Sequence, residues 1–454
     1  MASLHRDGDS ERSRFLFYKS RLIDAGDALP AGNYNGSFND LGSNANFWTA
    51  SENGSSNAYN RNFNTGASMN SNNNNNKNNQ YSVRLVKDNG VVAGTPATII
   101  FMWLSAAYRE ARRHKRNTKS QLLFEAHLER NLIRLSHELA EGTYRISPSR
   151  CFINDRPVKR EVIAADFRDR VVQHMLCAWL FPIFERQFIY DSYSCRREKG
   201  TLFGINRVRG FIRAASDDFR KDCWVLRLDI KGFFMSIKKD ILYELVLDGL
   251  RRGNYRGVDD INLCNKLVHD IIYRDPIKDA IFCSPPEKWD GLPPDKTMRN
   301  GDGSKGLPIG NLTSQLFGNV YLNPLDQYIK RELKIKHYGR YVDDMVLVHQ
   351  DPDVLRRAIP EIRSFLADTL GLTLHPRKIS LQPAAYGFSF IGAYIKPYHV
   401  LPTSRLRCNL NAGLSESEYD VHREILARSY RGLFKYYNGM PAVLRPAYKR
   451  TGGR

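Results

Sequence analysis

Tyr338-Gly339-Arg340-Tyr341-Val342-Asp343-Asp344-Met345-Val346-Leu347-Val348 sets two adjacent carboxylates at a tight turn between short apolar stretches. Such carboxylates repel each other and lose solvation, so a neutralising cation is the natural reason to place them there. A third carboxylate, Asp229, closes another apolar stretch, Trp224-Val225-Leu226-Arg227-Leu228, and is followed by Ile230-Lys231-Gly232-Phe233-Phe234. Three carboxylates from two strand ends can hold two Mg2+ ions about 3.5–4 Å apart, an arrangement that drives in-line phosphoryl transfer. Asp229 and Asp343 are the expected bridging ligands and Asp344 an auxiliary one, with the backbone carbonyl of Ile230 assisting. Mn2+ is the alternative ion. An ordinary polar turn would explain Asp343-Asp344 alone, but not the pair together with Asp229 and the Gly-rich stretch 306–315.

The bulk composition agrees with a polyanionic partner. The 454 residues carry 68 Lys and Arg against 48 Asp and Glu, a formal charge of +20. That surplus favours phosphate backbones irrespective of sequence. It is clustered: between Phe101 and Arg160, and again from Leu401 to Arg454, basic residues outnumber acidic ones roughly two to one or more. The seven cysteines are widely spaced with no C-x-x-C pair, which reads as reduced thiols rather than a zinc module or a disulfide framework. No run approaches 18 apolar residues, and Met1-Ala2-Ser3-Leu4-His5-Arg6-Asp7 has no apolar signal core. A cytoplasmic protein without a membrane partner is expected.

Composition breaks near residue 90. About a third of residues 33–79 are asparagine, ending in Asn72-Asn73-Asn74-Asn75-Asn76-Lys77-Asn78-Asn79. Asparagine competes with backbone pairing, so this run is expected to stay loose and residues 1–90 to be largely disordered. It nevertheless carries aromatic and β-branched pieces of a small domain, among them Asn46-Phe47-Trp48-Thr49 and Tyr81-Ser82-Val83. Thr98 to Leu139 reads as helical, Tyr144 to Phe152 as a strand, and Phe167 to Phe188 and Lys239 to Leu250 as helices. Cys283 to Lys305, rich in Pro, Gly, Asp and Lys, reads as a loop insertion. Leu312 to Leu333 is helical with a kink at Pro324. Val354 to Leu370 follows as a helix, then strands at Leu372-Thr373-Leu374 and Phe388 to Ile395. Ser415-Glu416-Ser417-Glu418 reads as a capping box opening a basic helix to about Tyr437.

These stretches resemble the reverse transcriptases, and among them most closely those of diversity-generating retroelements. Leu228-Asp229-Ile230-Lys231-Gly232-Phe233-Phe234 is similar to the first catalytic motif of that family and Tyr341-Val342-Asp343-Asp344 to the third. The resemblance implies an α+β right hand of fingers, palm and thumb, with an antiparallel palm sheet backed by helices. Its boundaries would be an Asn-rich segment 1–90, a basic helical region and fingers 91–220, a palm 221–398 and a short basic thumb 399–454. Phe234 matches the bulky gate that excludes a ribose 2′-hydroxyl. Gly306-Leu307-Pro308-Ile309-Gly310-Asn311-Leu312-Thr313-Ser314-Gln315 resembles the motif whose glycines let backbone approach the nascent base pair. Retroviral enzymes carry Gln at Ile309, and intron and retron enzymes Ser-Pro at Ser314-Gln315. Both departures are shared with the retroelement enzymes, in which an apolar residue at Ile309 accompanies error-prone copying of template adenines.

The resemblance extends to Arg160-Glu161-Val162-Ile163-Ala164-Ala165-Asp166 in the fingers, where Arg160 would meet the triphosphate of a dNTP. Lys159 lies beside it as a nucleic-acid contact, although the family's Lys-x-Arg spacing would put its lysine at Val158. Lys378 resembles the lysine near the leaving pyrophosphate, and Phe390-Ile391-Gly392 the primer grip. Ile309 and Gly310 would face the nucleotide and Tyr341 the nucleic acid. In the thumb, Arg423, Arg428, Arg431 and Lys435 would contact phosphates of an RNA–DNA duplex, recognised largely by shape. The implied activity is RNA-directed DNA synthesis from a template-repeat RNA onto a cDNA primer. The implied partner is an accessory variability determinant protein, a helical bundle. Residues near 31–87 resemble the end of a lectin-like variable protein and read as the translated shadow of that template. The competing readings are an antiphage-defence or retron-type reverse transcriptase, and a non-catalytic RNA-binding protein on a palm scaffold.

Overall fold

The computed structural model describes residues 33–34, 38–39, 44–53, 57–64, 69–76, 95–113, 117–155, 158–299, 301–416 and 420–438. In the Asn-rich segment the described residues are strands: β1 Asn33–Tyr34 pairs with β2 Phe38–Asn39, and β3 Asn44–Asn53, β4 Asn57–Asn64 and β5 Met69–Asn76 form an antiparallel sheet in that order. The remainder of the expected 1–90 segment lies outside the described residues up to residue 95. The chain divides into two compact units, one of residues 1–105 with 129–144, the other of residues 106–128 with 145–454.

The stretch expected to be one helical run from Thr98 is three helices, α1 Pro96–Arg112, α2 Lys119–Glu125 and α3 Leu128–Ala140. The break before α2 has a local cause, since Thr118 is extended and its hydroxyl accepts from the Gln121 N–H. Next come β6 Arg150–Asn154, β7 Arg160–Ala164, α4 Phe167–Glu185, α5 Thr201–Ala215, β8 Trp224–Leu228, a short α6 Phe233–Ser236, α7 Lys239–Arg252, α8 Ile261–Tyr273 and β9 Ile281–Phe282. The strand expected over 144–152 is shorter and shifted to β6.

The second half holds α9 Leu312–Gln327, β10 His337–Tyr341, β11 Asp344–His349, α10 Pro352–Leu370, β12 Ser380–Pro383, β13 Phe388–Phe390, β14 Ala393–Ile395, β15 Val400–Pro402, α11 Ser404–Glu416 and α12 Asp420–Phe434. Helix α9 accommodates Pro324 and runs on as a wider π-type turn over Tyr328–Glu332. The strand expected over 388–395 is instead a hairpin: Ile391 and Gly392 both adopt positive φ, so β13 folds back on β14. Leu372-Thr373-Leu374 contributes one bridge, Leu374 to Ile230, rather than a strand. The expected capping box at Ser415 is also corrected. Ser415 lies in the last turn of α11, its hydroxyl donating to the Asn411 carbonyl at 3.0 Å, and the second helix begins at Asp420.

The larger unit is built on an antiparallel sheet of order β10-β11-β8-β12. Strand alternation divides its residues between two faces. Val225, Val346 and Val348 on one face pack with Ile205, Val208, Phe211 and Ile212 of α5. Leu226, Leu228 and Leu347 turn the other way and are equally buried, and α10 runs along β11. With β8 held between β11 and β12, the chain after Leu228 emerges at a fixed edge of the sheet. The second sheet, β13-β14-β15, buries Phe388, Phe390, Ala393 and Ile395 in the same core as Val346.

Candidate active site

The register brings the three aspartates to one sheet edge. Met345 lies opposite Leu228, so one step further along the antiparallel pair Asp344 stands across from Asp229. The β10–β11 turn is Val342-Asp343, with Tyr341 paired to Asp344. Val342 has φ +56°, a left-handed conformation that a β-branched residue rarely takes. The chain after Asp229 is tied down as well: the Asp229 carbonyl accepts from His375 N–H at 2.8 Å, and Lys231 N–H donates to the Thr373 carbonyl at 2.9 Å. Ile230 is buried between them.

Burial, then the charges of Asp344 and Asp229, push the Asp343 carboxyl from its ordinary 3.8 up to about 7. Asp344 is raised by burial and then by Asp229. Lys378 and Arg227 oppose this rise at Asp344. The Lys378 Nζ sits 2.8 Å from Asp229 Oδ2. Arg227, two residues before Asp229 and on its face of the strand, donates to the Ser389 carbonyl of β13.

Three mutually repelling carboxylates with Lys378 and Arg227 beside them, and with the nearby Arg340 already paired to Asp326, are short of positive charge, and a divalent ion is the chemical species that supplies it. The oxygen donors suit Mg2+ or Mn2+. Among the described residues, no three His, Cys, Asp or Glu side chains close into a preformed metal cage. The aspartates feel one another electrostatically without that closure, and Lys378 is drawn onto Asp229.

The other sequence-derived candidates fall in three places. Phe234 is half-buried against the Phe233 ring, 5.1 Å between centroids, and its carbonyl accepts from Leu307 N–H of the Gly-rich stretch at 2.8 Å. The same stretch reaches β7, where the Ile309 carbonyl accepts from Ile163 N–H at 2.9 Å and Asn311 Oδ1 from Ala165 N–H at 3.0 Å. Gly310 has φ +125°, and a Cβ there would come 3.1 Å from Val162. Ile309 and Gly310 thus stitch β7 to the segment carrying Phe234. Arg160 opens β7 with an exposed side chain, while the Lys159 Nζ donates to the Asp290 carbonyl at 2.7 Å in the 283–305 loop. On α12, Arg428 and Arg431 both lean on Glu424, at 3.0 and 3.4 Å, and Arg423 is exposed. The Lys435 Nζ lies 4.8 Å from the Tyr436 ring centre.

Sequence reasoning missed two carboxylates. Glu161 is fully buried and accepts from Trp289 Nε1, Thr297 Oγ1 and Met298 N–H, each at 2.8 Å, pinning the 283–305 loop to the strand that carries Arg160. The same loop reaches the first catalytic segment: Gly232 has φ +54°, and a Cβ there would stand 2.9 Å from the Asp295 carbonyl. Asp326 is fully buried in an ion pair with Arg340. Neither could be read from spacing, because the partners lie 14 residues away for Asp326 and more than 125 for Glu161.

Residues 291–395 match the family "Reverse transcriptase (RNA-dependent DNA polymerase)", a span with the Gly-rich stretch, Asp343, Asp344 and Lys378 but without Asp229. Protein YkfC of Escherichia coli (strain K12) is 24% identical over 315 residues, 60% of this chain and 73% of that protein. Among solved structures, telomerase from Candida tropicalis truncated from its C-terminal domain has a TM-score of 0.40 at 12% identity, covering 57% of this chain and 56% of that one. Telomerase from Candida albicans in complex with a fragment of telomeric RNA has a TM-score of 0.41 at 10% identity, covering 65% and 56%. This chain spans little more than half the length of those telomerases. The family match supports a reverse transcriptase. No helix among the described residues is long and apolar enough to cross a membrane.

Proposed function

We propose that this protein is an RNA-directed DNA polymerase that extends a cDNA primer on a template RNA with dNTPs. The observation that carries the reading is the convergence of Asp229, Asp343 and Asp344 at one sheet edge, with Asp343 pushed up to about 7 by burial and by the other two. Asp229 and Asp343 would hold the divalent ions, with Asp344 and the Ile230 carbonyl assisting. Bound there, Mg2+ or Mn2+ supplies activation of the primer 3′-hydroxyl and neutralises charge on the phosphates.

The chain's own residues do the rest. Lys378 gives up Asp229 and lies free to meet the departing pyrophosphate as a mobile ammonium. Arg160, held by the Glu161 anchor beside it, takes the triphosphate with a planar fork. The Phe234 ring occupies the space a ribose 2′-hydroxyl would need and selects dNTPs over NTPs. Ile309 and Gly310 carry backbone towards the nascent base pair, with Tyr341 beside the primer end. Arg423, Arg428, Arg431 and Lys435 of α12 follow the duplex phosphates.

The biological role we propose is mutagenic copying of a template-repeat RNA for diversification of a target gene, assisted by an accessory helical-bundle protein. Ile309 in place of a polar residue and the Asn-rich segment near 31–87 support it. Primer extension on an RNA template with Mg2+, dNTPs and the accessory protein tests the activity, and no product would reject it. Sequencing the cDNA tests the role: errors should concentrate opposite template adenines, and an even spread would reject mutagenic copying while leaving the polymerase intact.

A further inference from the structure

Behind the Val342-Asp343 turn lies an ion pair that the proposed chemistry does not use. The side chains of Arg340 and Asp326 are both fully buried. Arg340 Nη2 is 2.6 Å from Asp326 Oδ2 and its Nε 2.8 Å from Oδ1, while the Tyr338 hydroxyl donates to Oδ1 at 2.6 Å. The backbone of Arg340 is clamped too, its N–H donating to the Asp191 carbonyl and its carbonyl accepting from Tyr193 N–H, each at 2.9 Å. The guanidinium still has donors to place. Nη1 donates to the Val342 carbonyl at 2.8 Å and reaches Asn319 Oδ1 at 3.3 Å.

Stability alone does not call for this arrangement, because well-packed apolar replacements of a buried ion pair are often neutral or stabilising. What the pair adds is direction. The Val342 carbonyl belongs to the peptide that carries Asp343 N–H, so turning that peptide swings the Asp343 carboxylate. Val342 sits in a left-handed conformation costly for a β-branched residue, and such a backbone persists only where its surroundings fix it. Arg340 fixes it by tying that one peptide to Asp326 on α9.

We infer that Arg340 and Asp326 are a positioning pair for Asp343, setting the angle at which its carboxylate meets a divalent ion. The inference rests on the polymerase reading above for its purpose, though not for its test. Lysine at 340 would keep the charge but lose the planar fork that spans the carboxylate and the Val342 carbonyl together.

The test uses the full-length protein as Arg340→Lys and as the double variant Arg340→Met with Asp326→Leu. Mn2+ binding is followed by electron paramagnetic resonance without nucleic acid or dNTP, alongside melting temperature and the Mg2+ dependence of single-nucleotide incorporation. Both variants should bind Mn2+ roughly 10-fold or more weakly. Their Mg2+ midpoint should rise, the KM for dNTP should stay put, and the double variant should melt near wild type. Wild-type Mn2+ affinity in a folded Arg340→Lys protein would overturn the inference, and that variant decides the matter if the double variant does not fold. Wild-type protein that binds Mn2+ yet extends no primer with the accessory protein supplied would reject the polymerase reading and leave the Mn2+ shift to judge this one. Wild-type protein that binds no Mn2+ would overturn the inference as well.

Discussion

The larger unit treats its buried carboxylates in two opposite ways. Asp326 and Glu161 are each surrounded by donors aimed at both oxygens: the Arg340 fork and Tyr338 hydroxyl for one, the Trp289, Thr297 and Met298 groups for the other. Asp229, Asp343 and Asp344 are instead crowded together with Lys378 and Arg227 beside them, the nearby Arg340 being already committed to Asp326, and two of them are raised by burial and mutual charge. A carboxylate that holds the fold is satisfied by the fold. One left unsatisfied at a sheet edge costs stability, and a chain that keeps Asp343 and Asp344 in that state beside Asp229 uses them for something else.

The sharpest test of that contrast is activity. Replacing Asp229 or Asp343 by Ala should lower single-nucleotide incorporation by at least about a thousandfold, measured by rapid quench with saturating Mg2+. Neither change should lower the melting temperature of the metal-free protein. Retained incorporation in either variant would remove the aspartates from the chemistry.

The satisfied set predicts the reverse. Asp326→Asn leaves the Arg340 charge buried without its counter-ion, and breaking such a pair costs about 3–5 kcal/mol. Urea unfolding should show that loss even in the absence of metal and substrate. A loss well under 1 kcal/mol would mean that solvent reaches the pair.

Asp343 gives the contrast a pH signature. Its folded carboxyl titrates near 7 because of burial and then Asp344 and Asp229, whereas its ordinary value is 3.8. Well below 3.8 both states hold the proton, so nothing is lost. Between about 4 and 7 only the folded state keeps the proton, so stability falls as pH rises through this window, and above 7 the full cost stands. Asp343→Asn removes the cost. The metal-free variant should therefore come closest to wild type near pH 3 and melt several degrees above it at pH 8, and added Mg2+ should narrow the gap by stabilising wild type alone. An equal difference at both pH values would show that Asp343 ionises freely.

Local chemistry explains which parts of this were legible from sequence. Asp229 and Asp343-Asp344 stood out because each carboxylate interrupts an apolar strand signal, and the sheet then joins those strands in register. The helices α7 and α10 were readable within a few residues, since each has a buried face at helical spacing, and α4, buried on nearly every side, because its apolar run is too long for a strand. The hairpin at Ile391-Gly392 was not, because a run of apolar residues looks the same whether it continues or folds back. Ser415 misled for a different reason: a Ser-x-x-Glu pattern needs an extended Ser, and here Ser415 is helical, its exposed hydroxyl turned back onto the Asn411 carbonyl one turn earlier. Glu161 and Asp326 were invisible because long-range donors, not neighbours, make a buried carboxylate tolerable.

The smallest expected effect concerns α12, where basic residues and one acid compete. Glu424 accepts from Arg428 and draws on Arg431, and both guanidiniums hold its carboxyl below the usual range. An exposed pair of this kind adds little to folding. It does take up donors that a phosphate would otherwise meet. Glu424→Gln should therefore tighten binding to an RNA–DNA duplex by about twofold to fivefold at low salt, whereas Arg428→Ala should weaken it and lower the salt slope by about 1. Fluorescence anisotropy over a salt series would measure both. If Glu424→Gln weakened binding or left it unchanged, α12 would not be facing phosphate, and its basic face would fall with the satisfied groups that serve the fold.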